Sequence, residues 1–259
     1  MSKLGPAPIT IPRFLLIYAL LLIVLFILQR AKIDQTKLLF VASLRMTIQL
    51  MLAGFILTHI FQNPHPLFTL AYVAAMLLFA IHRVLSKNPG LNNRFKGIIA
   101  TSMTVSGLFV LAYFVGIVAN QGLFNPQYVI PISGMVMGNM MTGLNLALKT
   151  FQEYIKSEKL QIETLLNIGA RPKDILLPFV NRALETAMLP TINSMLGLGI
   201  VSLPGMMTGQ ILAGTLPTTA IFYQIAVMVS LTTVTSLSVF GSLYLGYQTL
   251  YNEKNQFDL

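Results

Sequence analysis

The residues that could do chemistry are few. The 259-residue chain has no cysteine, three histidines and fourteen methionines. Without thiols there can be no disulfides, thiolate metal sites, cysteine nucleophiles or iron–sulfur clusters. His59, His65 and His82 never stand four apart, so no helix face offers paired imidazoles. No Ser/His/Asp grouping, carboxylate pair or H-E-x-x-H run occurs, which speaks against an enzyme. A phosphate-cradling P-loop needs G-x-x-x-x-G-K-[ST], and no Gly-Lys pair exists anywhere in the chain. ATP cannot be hydrolysed here by that route, and no cofactor of the chain's own is expected.

The remaining polar candidates sit in apolar surroundings. Arg45 and Gln49 lie four apart with Thr47 between them; Arg45 either lines a pathway or snorkels to an interface. Asn139 and Asn145 lie on one apolar run, and Asn139 needs a hydrogen-bond partner there, on a neighbouring helix or in a pathway. Gly134 and Gly138 have the four-residue separation that lets helices approach closely. Glu185, at the start of the sixth apolar run, either pairs with Arg45 or Arg182 or simply marks the membrane boundary. Met135, Met137, Met140, Met141, Met188, Met195, Met206 and Met207 crowd the later half of the chain. Thioethers are soft ligands that favour Cu(I), but methionine is also an adaptable packing residue. Fe(II) would call for oxygen and imidazole donors first, and the sequence shows no metal site.

The elements that position these residues follow from composition. The chain is 55% hydrophobic and only 10% charged, against about 45–50% and 25% in soluble domains. So little charge cannot cover a soluble globule of this length, and disorder would need the opposite balance. An all-α polytopic membrane protein is expected. Runs of about 20 apolar residues mark spans, and seven are found near 12–30, 38–60, 67–85, 97–119, 127–148, 185–203 and 218–247. No small-residue cleavage site follows the first, which predicts a retained anchor rather than a signal peptide. The seventh is too long to stand upright and must tilt or project.

Lys and Arg placement sets the orientation, since basic loops stay cytoplasmic. Arg30, Lys32 and Lys37 follow span one; Arg83, Lys87, Arg94 and Lys96 follow span three; Lys149, Lys156, Lys159, Arg171, Lys173 and Arg182 follow span five. Loops 61–66, 120–126 and 204–217 carry no charge at all. The alternation predicts the N-terminus outside and the C-terminus inside. It assigns the net charge of +9 to loops facing anionic lipid rather than nucleic acid. Pro204, Gly205, Gly209, Gly214 and Pro217 interrupt the last uncharged segment. Residues 204–214 read as an irregular or re-entrant outer element, a potential gate, with a plain apolar hairpin as the alternative. Asn193, Pro204, Met206, Met207, Gly209 and Gln210 join Arg45, Gln49 and Asn139 as candidate pathway or gate residues.

One loop is large. Residues 149–184 form a charged cytoplasmic segment within a single transmembrane domain spanning 1–259. Phe151, Ile155, Ile162, Leu165 and Leu166 recur at helical spacing and predict an amphipathic helix over about 150–168. Lys159 and Glu163 sit at i,i+4 on its surface. Gly169 is placed to end that helix in the left-handed conformation, and Pro172 to start a second short one. The product is a helix–break–helix elbow of the kind that docks a partner.

Glu163-Thr-Leu-Leu-Asn-Ile-Gly169 followed by Ile175-Leu-Leu-Pro178 resembles the EAA loop of ABC importer permeases. Tyr128-Val-Ile-Pro-Ile-Ser-Gly-Met-Val-Met-Gly-Asn139, Leu166-Asn-Ile-Gly-Ala-Arg-Pro172, Leu189-Pro-Thr-Ile-Asn-Ser194 and Val201-Ser-Leu-Pro-Gly-Met-Met-Thr-Gly-Gln-Ile-Leu-Ala-Gly214 are similar to a different family. This is the iron-export ABC permease family of the FetB/YbbM type, which includes the plant aluminium-tolerance permeases. Arg45-Met-Thr-Ile-Gln-Leu50 and Gly54 fit it too, so the resemblance covers roughly residues 38–250. It implies a multi-pass permease of the cell (inner or plasma) membrane. It further implies a homodimer, a separate cytosolic ATPase subunit holding ATP and Mg, and iron export. Glu163, Leu166, Gly169, Ala170, Arg171, Pro172 and Lys173 would then form the coupling element seated in the ATPase. The readings that compete with iron export are another cargo, such as a nucleotide sugar or lipid, and a non-transport membrane partner of an ATPase.

Overall fold

A computed structural model describes residues 10–251, and every named element in it is helical; Leu198 and Ser202 form an isolated bridge. The nine helices are α1 (Ile11–Arg30), α2 (Thr36–Gln62), α3 (Pro66–Lys87), α4 (Asn93–Tyr113), α5 (Pro126–Ser157), α6 (Lys159–Asn167), α7 (Pro172–Gly197), α8 (Gly205–Leu212) and α9 (Pro217–Gly246). A π-helical turn, Phe114–Val118, prolongs α4, and a 3₁₀ turn, Tyr247–Thr249, prolongs α9. Five of these, α1, α2, α3, α4 with its π turn, and α9 with its 3₁₀ turn, are long and apolar enough to cross a membrane. The chain is therefore a polytopic helical membrane protein. The runs expected near 127–148 and 185–203 lie on α5 and α7, which do not meet that measure of length and apolarity.

Local chemistry starts most of the helices. Pro66, Pro126, Pro172 and Pro217 occupy first-turn positions, where a missing N–H costs nothing and the fixed φ suits a helix. His65 Nδ1 accepts from Leu67 N at 3.2 Å, Asn92 Oδ1 from Phe95 N at 2.7 Å and Asn125 Oδ1 from Gln127 N at 3.2 Å. Each satisfies an otherwise orphaned donor.

The described chain separates into two compact units. The first contains α1 and α2 with residues 212–215; the second contains His65–Ile211 and the chain from Leu216 onward. In the first, Tyr18 and Thr47 join α1 to α2 by a hydroxyl–hydroxyl hydrogen bond. Almost every apolar side chain of this pair is exposed, Phe55 at 77%, a surface that water would penalise and lipid would not.

The second unit has a true core. α9 packs on α4, α5 and α7, and α5 also packs on α3. Phe95, Phe114, Phe151, Met140, Leu144 and Leu176 are completely buried there. Glycines set the closest approaches. A methyl on Gly143 of α5 would collide with Thr235 of α9, and one on Gly246 would fall into the ring of Phe95. At Gly241 it would stand 2.9 Å from Ser102 Oγ. The glycines expected to pack closely do not. A methyl on Gly138 would meet nothing, and one on Gly134 would make only ordinary contact with Met76 at 3.5 Å. Spacing on one helix says which glycines share a face, but not which of them faces a neighbour.

Candidate functional site

The elbow is built in two steps. α5 runs on to Ser157 as one 32-residue helix, then breaks at Glu158, whose backbone (φ −100°, ψ 19°) leaves the helical region. α6 follows. The single helix expected over 150–168 is thus two, because Glu158 ends one ladder (its N–H reaches Tyr154 O at 3.0 Å) and opens the next by accepting from Ile162 N at 2.9 Å. The apolar pattern survives the break: Phe151, Ile155 and Ile162 are buried, and Leu165 and Leu166 half-buried.

Gly169 ends α6 as the sequence predicts. Its φ is +88°, its N–H bonds Leu166 O at 2.9 Å, and the N–H of Ala170 bonds Leu165 O at 2.9 Å. This pair of bonds is the Schellman motif, and it needs a residue tolerant of the left-handed region. Pro172 is the first residue of α7, but α7 is not short. It continues unbroken for 26 residues past Pro178 and Pro190, so the second elbow helix and the sixth predicted span are one element. The predicted span overran at its far end, where Leu198 turns extended and Gly199 takes φ +80°.

The elbow is fastened to the bundle mainly by residues the sequence did not single out, with Arg182 in a role other than the one expected. Tyr154 on α5 stacks on Phe179 of α7, with centroids 5.9 Å apart and rings 6° from parallel. The guanidinium carbon of Arg182 lies 5.5 Å from the centre of the same Tyr154 ring. Nearby, Gln152 Nε2 donates to Asn88 Oδ1 at 3.4 Å, and buried Asn88 donates to Val84 O at 2.8 Å, tying α5 to the end of α3. Glu163, Gly169, Arg171 and Lys173 are exposed, Leu166 and Ala170 half-buried, and Pro172 buried. Lys159 and Glu163 form the predicted pair at 3.8 Å, matched by Lys149 and Glu153 at 3.8 Å. Both are exposed and add little stability. Leu160 and Ile168 also stand out in the open, at 78% and 74% exposure. For Leu160 the signal was an apolar residue directly after Lys159; Ile168, between Asn167 and Gly169, carried none.

The candidate pathway residues do not converge. Arg45 and Gln49 are exposed on α2. Asn139 uses neither of the partners expected for it: its Nδ2 donates to Met135 O, one turn back on its own helix, at 3.1 Å. Asn145 does likewise to Met141 O at 2.8 Å, leaving its Oδ1 buried without a partner. Glu185 is exposed in mid-α7 and makes no ion pair among the described residues, and Arg182 turns to Tyr154 instead. Asn193 is exposed at the far end of α7. Residues 205–212 of the expected irregular element form the short helix α8, with Met207 buried and Met206 half-buried. Gly209 is exposed, and a methyl there would meet nothing in this chain. Gln210 keeps a buried Oε1 without a hydrogen-bond partner. Among the described residues no group of three His, Asp or Glu side chains could hold a metal ion.

Apolar helices in this number define a multi-pass membrane protein. Residues 11–251 match the family described as Uncharacterised protein family (UPF0014), and the chain belongs to it. The chain is 31% identical to the UPF0014 membrane protein YjkA of Bacillus subtilis (strain 168), over 91% of its own length and 93% of that protein. It is 35% identical to the probable iron export permease protein FetB of Escherichia coli (strain K12), over 82% of this chain and 81% of that one. With Protein ALUMINUM SENSITIVE 3 of Arabidopsis thaliana it shares 32% identity over 82% and 77% of the two chains. No solved structure matches it. It is a cell-membrane protein of that family, which includes a relative named as a probable iron export permease.

Proposed function

We propose that this chain is the permease subunit of an ATP-binding-cassette exporter, powered by a separate cytosolic ATPase and moving iron or a related metal ion out of the cytosol. The observation that carries the reading is the elbow. A capped two-helix knuckle, presenting Leu160 and Ile168 to the outside, is held to the bundle through Tyr154, Phe179 and Arg182. An element that only connected two spans would need neither the exposed apolar knobs nor the aromatic fastening. In this reading Glu163, Leu166 and Gly169 to Lys173 seat in a groove of the ATPase, which holds ATP and Mg. Force on α6 passes to α5 and α7 through the buried side chains of Phe151, Ile155, Ile162 and Leu176.

The whole chain acts as one permease domain with seven crossings, the five apolar helices plus α5 and α7. Loop charges put the N-terminus outside, and the C-terminus and elbow inside. Two copies assemble around two ATPases, because seven crossings are few for a complete pathway. Iron as cargo draws on the name of the Escherichia coli relative. The test is cellular metal content with the permease and its ATPase co-expressed, read by elemental mass spectrometry across iron, manganese, zinc and copper. A fall in iron that disappears with a catalytically dead ATPase is the expected result. An unchanged metal profile would reject metal export and direct the search to an organic cargo.

A further inference from the structure

We propose that the cleft between α7, α8 and α9 is a binding site for a soft monovalent cation of the Cu(I) or Ag(I) kind. Its ligands are the thioethers of Met195, Met207 and Met228 with the amide oxygen of Gln224. The cleft measures about 440 Å³, and these four residues line it beside Leu203 and Pro204. Met103, Met137 and Met140 fill space inside the core at 0–3% exposure. Met195, Met207 and Met228 line the cleft, Met207 although it is itself buried.

Two observations set this cleft apart from an apolar gap. Gln224 is only 8% exposed, and its Oε1 has no hydrogen-bond partner. A buried acceptor left unpaired is costly unless something arrives to use it. The nearest hydroxyl also leaves a sulfur free. Thr232 has one proton and two acceptors in reach, Met228 O at 2.9 Å and Met195 Sδ at 3.3 Å. The carbonyl is nearer and the stronger acceptor, so Met195 keeps its lone pairs. The same choice recurs at Ser236, between Thr232 O at 2.8 Å and Met188 Sδ at 3.1 Å. Met188 lies seven residues before Met195 on the same face of α7, a further thioether along the α7–α9 seam.

The lining fixes the ligand class. It contains no charged side chain, so a divalent ion would enter without compensation, and hard cations such as Mg²⁺ or Ca²⁺ would lack their oxygen shell. Thioether sulfur selects the softest monovalent ions. The site belongs to the chain itself and does not depend on which cargo is exported or on an ATPase.

The experiment is Cu(I) titration of the purified full-length protein in detergent against a chromogenic Cu(I) chelator, repeated with Ag(I). Retention of about one Cu(I) per chain is expected. The triple variant M195L/M207L/M228L, chosen because leucine conserves volume, should lose it. Gln224→Leu should weaken retention by at least about tenfold, while M103L/M140L should match the parent. If the triple variant fails gel filtration, Met195→Leu and Met228→Leu are titrated singly and each should show weakened retention. Complete stripping of the parent by the chelator would overturn the proposal. So would equal retention by parent and methionine variants.

Discussion

The guanidinium carbon of Arg182 sits 5.5 Å from the centre of the Tyr154 ring, joining the base of α5 to α7 where the elbow leaves the bundle. With Phe179 stacked on the same ring, this is the one aromatic fastening between the two helices that flank α6. An exposed cation–π contact is worth about 0.5–1 kcal/mol, and the aromatic pair about as much again. Tyr154→Ala should lower thermal stability by a few degrees yet cut permease-stimulated ATP hydrolysis and transport far more. Tyr154→Phe, which keeps the ring, should preserve both. Parallel ATPase and transport assays on the two variants decide it, and full stimulation by Tyr154→Ala would remove the fastening from the coupling route.

Gly169 gives a second handle on the same elbow. At φ +88° a β-carbon is strained by about 1–2 kcal/mol, whereas asparagine tolerates the region. The expected order of stimulated activity is Gly169, then Asn, then Ala, with Gly169→Pro inactive yet inserted in the membrane. A flat series would show that the Schellman turn is dispensable for coupling.

Glu163→Arg separates docking from folding. The Lys159 pair it breaks is exposed at 3.8 Å and contributes at most about 0.3–0.5 kcal/mol. Thermal unfolding should therefore barely move while ATPase stimulation falls. A matching loss of both would mean that Glu163 acts only within this chain.

These elbow features were legible in the sequence because they are local. A glycine after the last apolar position and a proline three residues later encode the end of α6 and the start of α7 without help from elsewhere. The break at Glu158 was not legible, since the apolar spacing runs through it unchanged and only the backbone ladder resets. Nor was the length of α7, because the short helix begun by Pro172 and the span expected near 185–203 looked like separate elements, although Pro178 and Pro190 both sit inside one continuous helix. The fastening of Tyr154 and the orphaned oxygen of Gln224 depend on which faces meet across α5, α7 and α9. A period along one helix cannot supply that. The bonds of Asn139 and Asn145 were not legible either, because an amide N–H can donate to the carbonyl one turn back on its own helix, as both do.

The helix packing itself yields the last prediction, with an internal control. Gly143 and Gly246 are pressed against Thr235 and the Phe95 ring so closely that a methyl has nowhere to go. Phe95 and Thr235 are themselves buried at 0% and 1% exposure and cannot swing aside. Overpacking of this kind costs about 1–3 kcal/mol, so Gly143→Ala and Gly246→Ala should each lower the unfolding midpoint in detergent and reduce the yield of folded protein. Gly138→Ala and Gly209→Ala meet open space and should unfold like the parent, or slightly later because a helical glycine is replaced by alanine. Folding being intact, transport by Gly209→Leu then becomes informative about the gate expected at 204–214. A folded but inactive variant would locate the obstruction in the pathway or in a second copy, and normal transport would remove Gly209 from the gate.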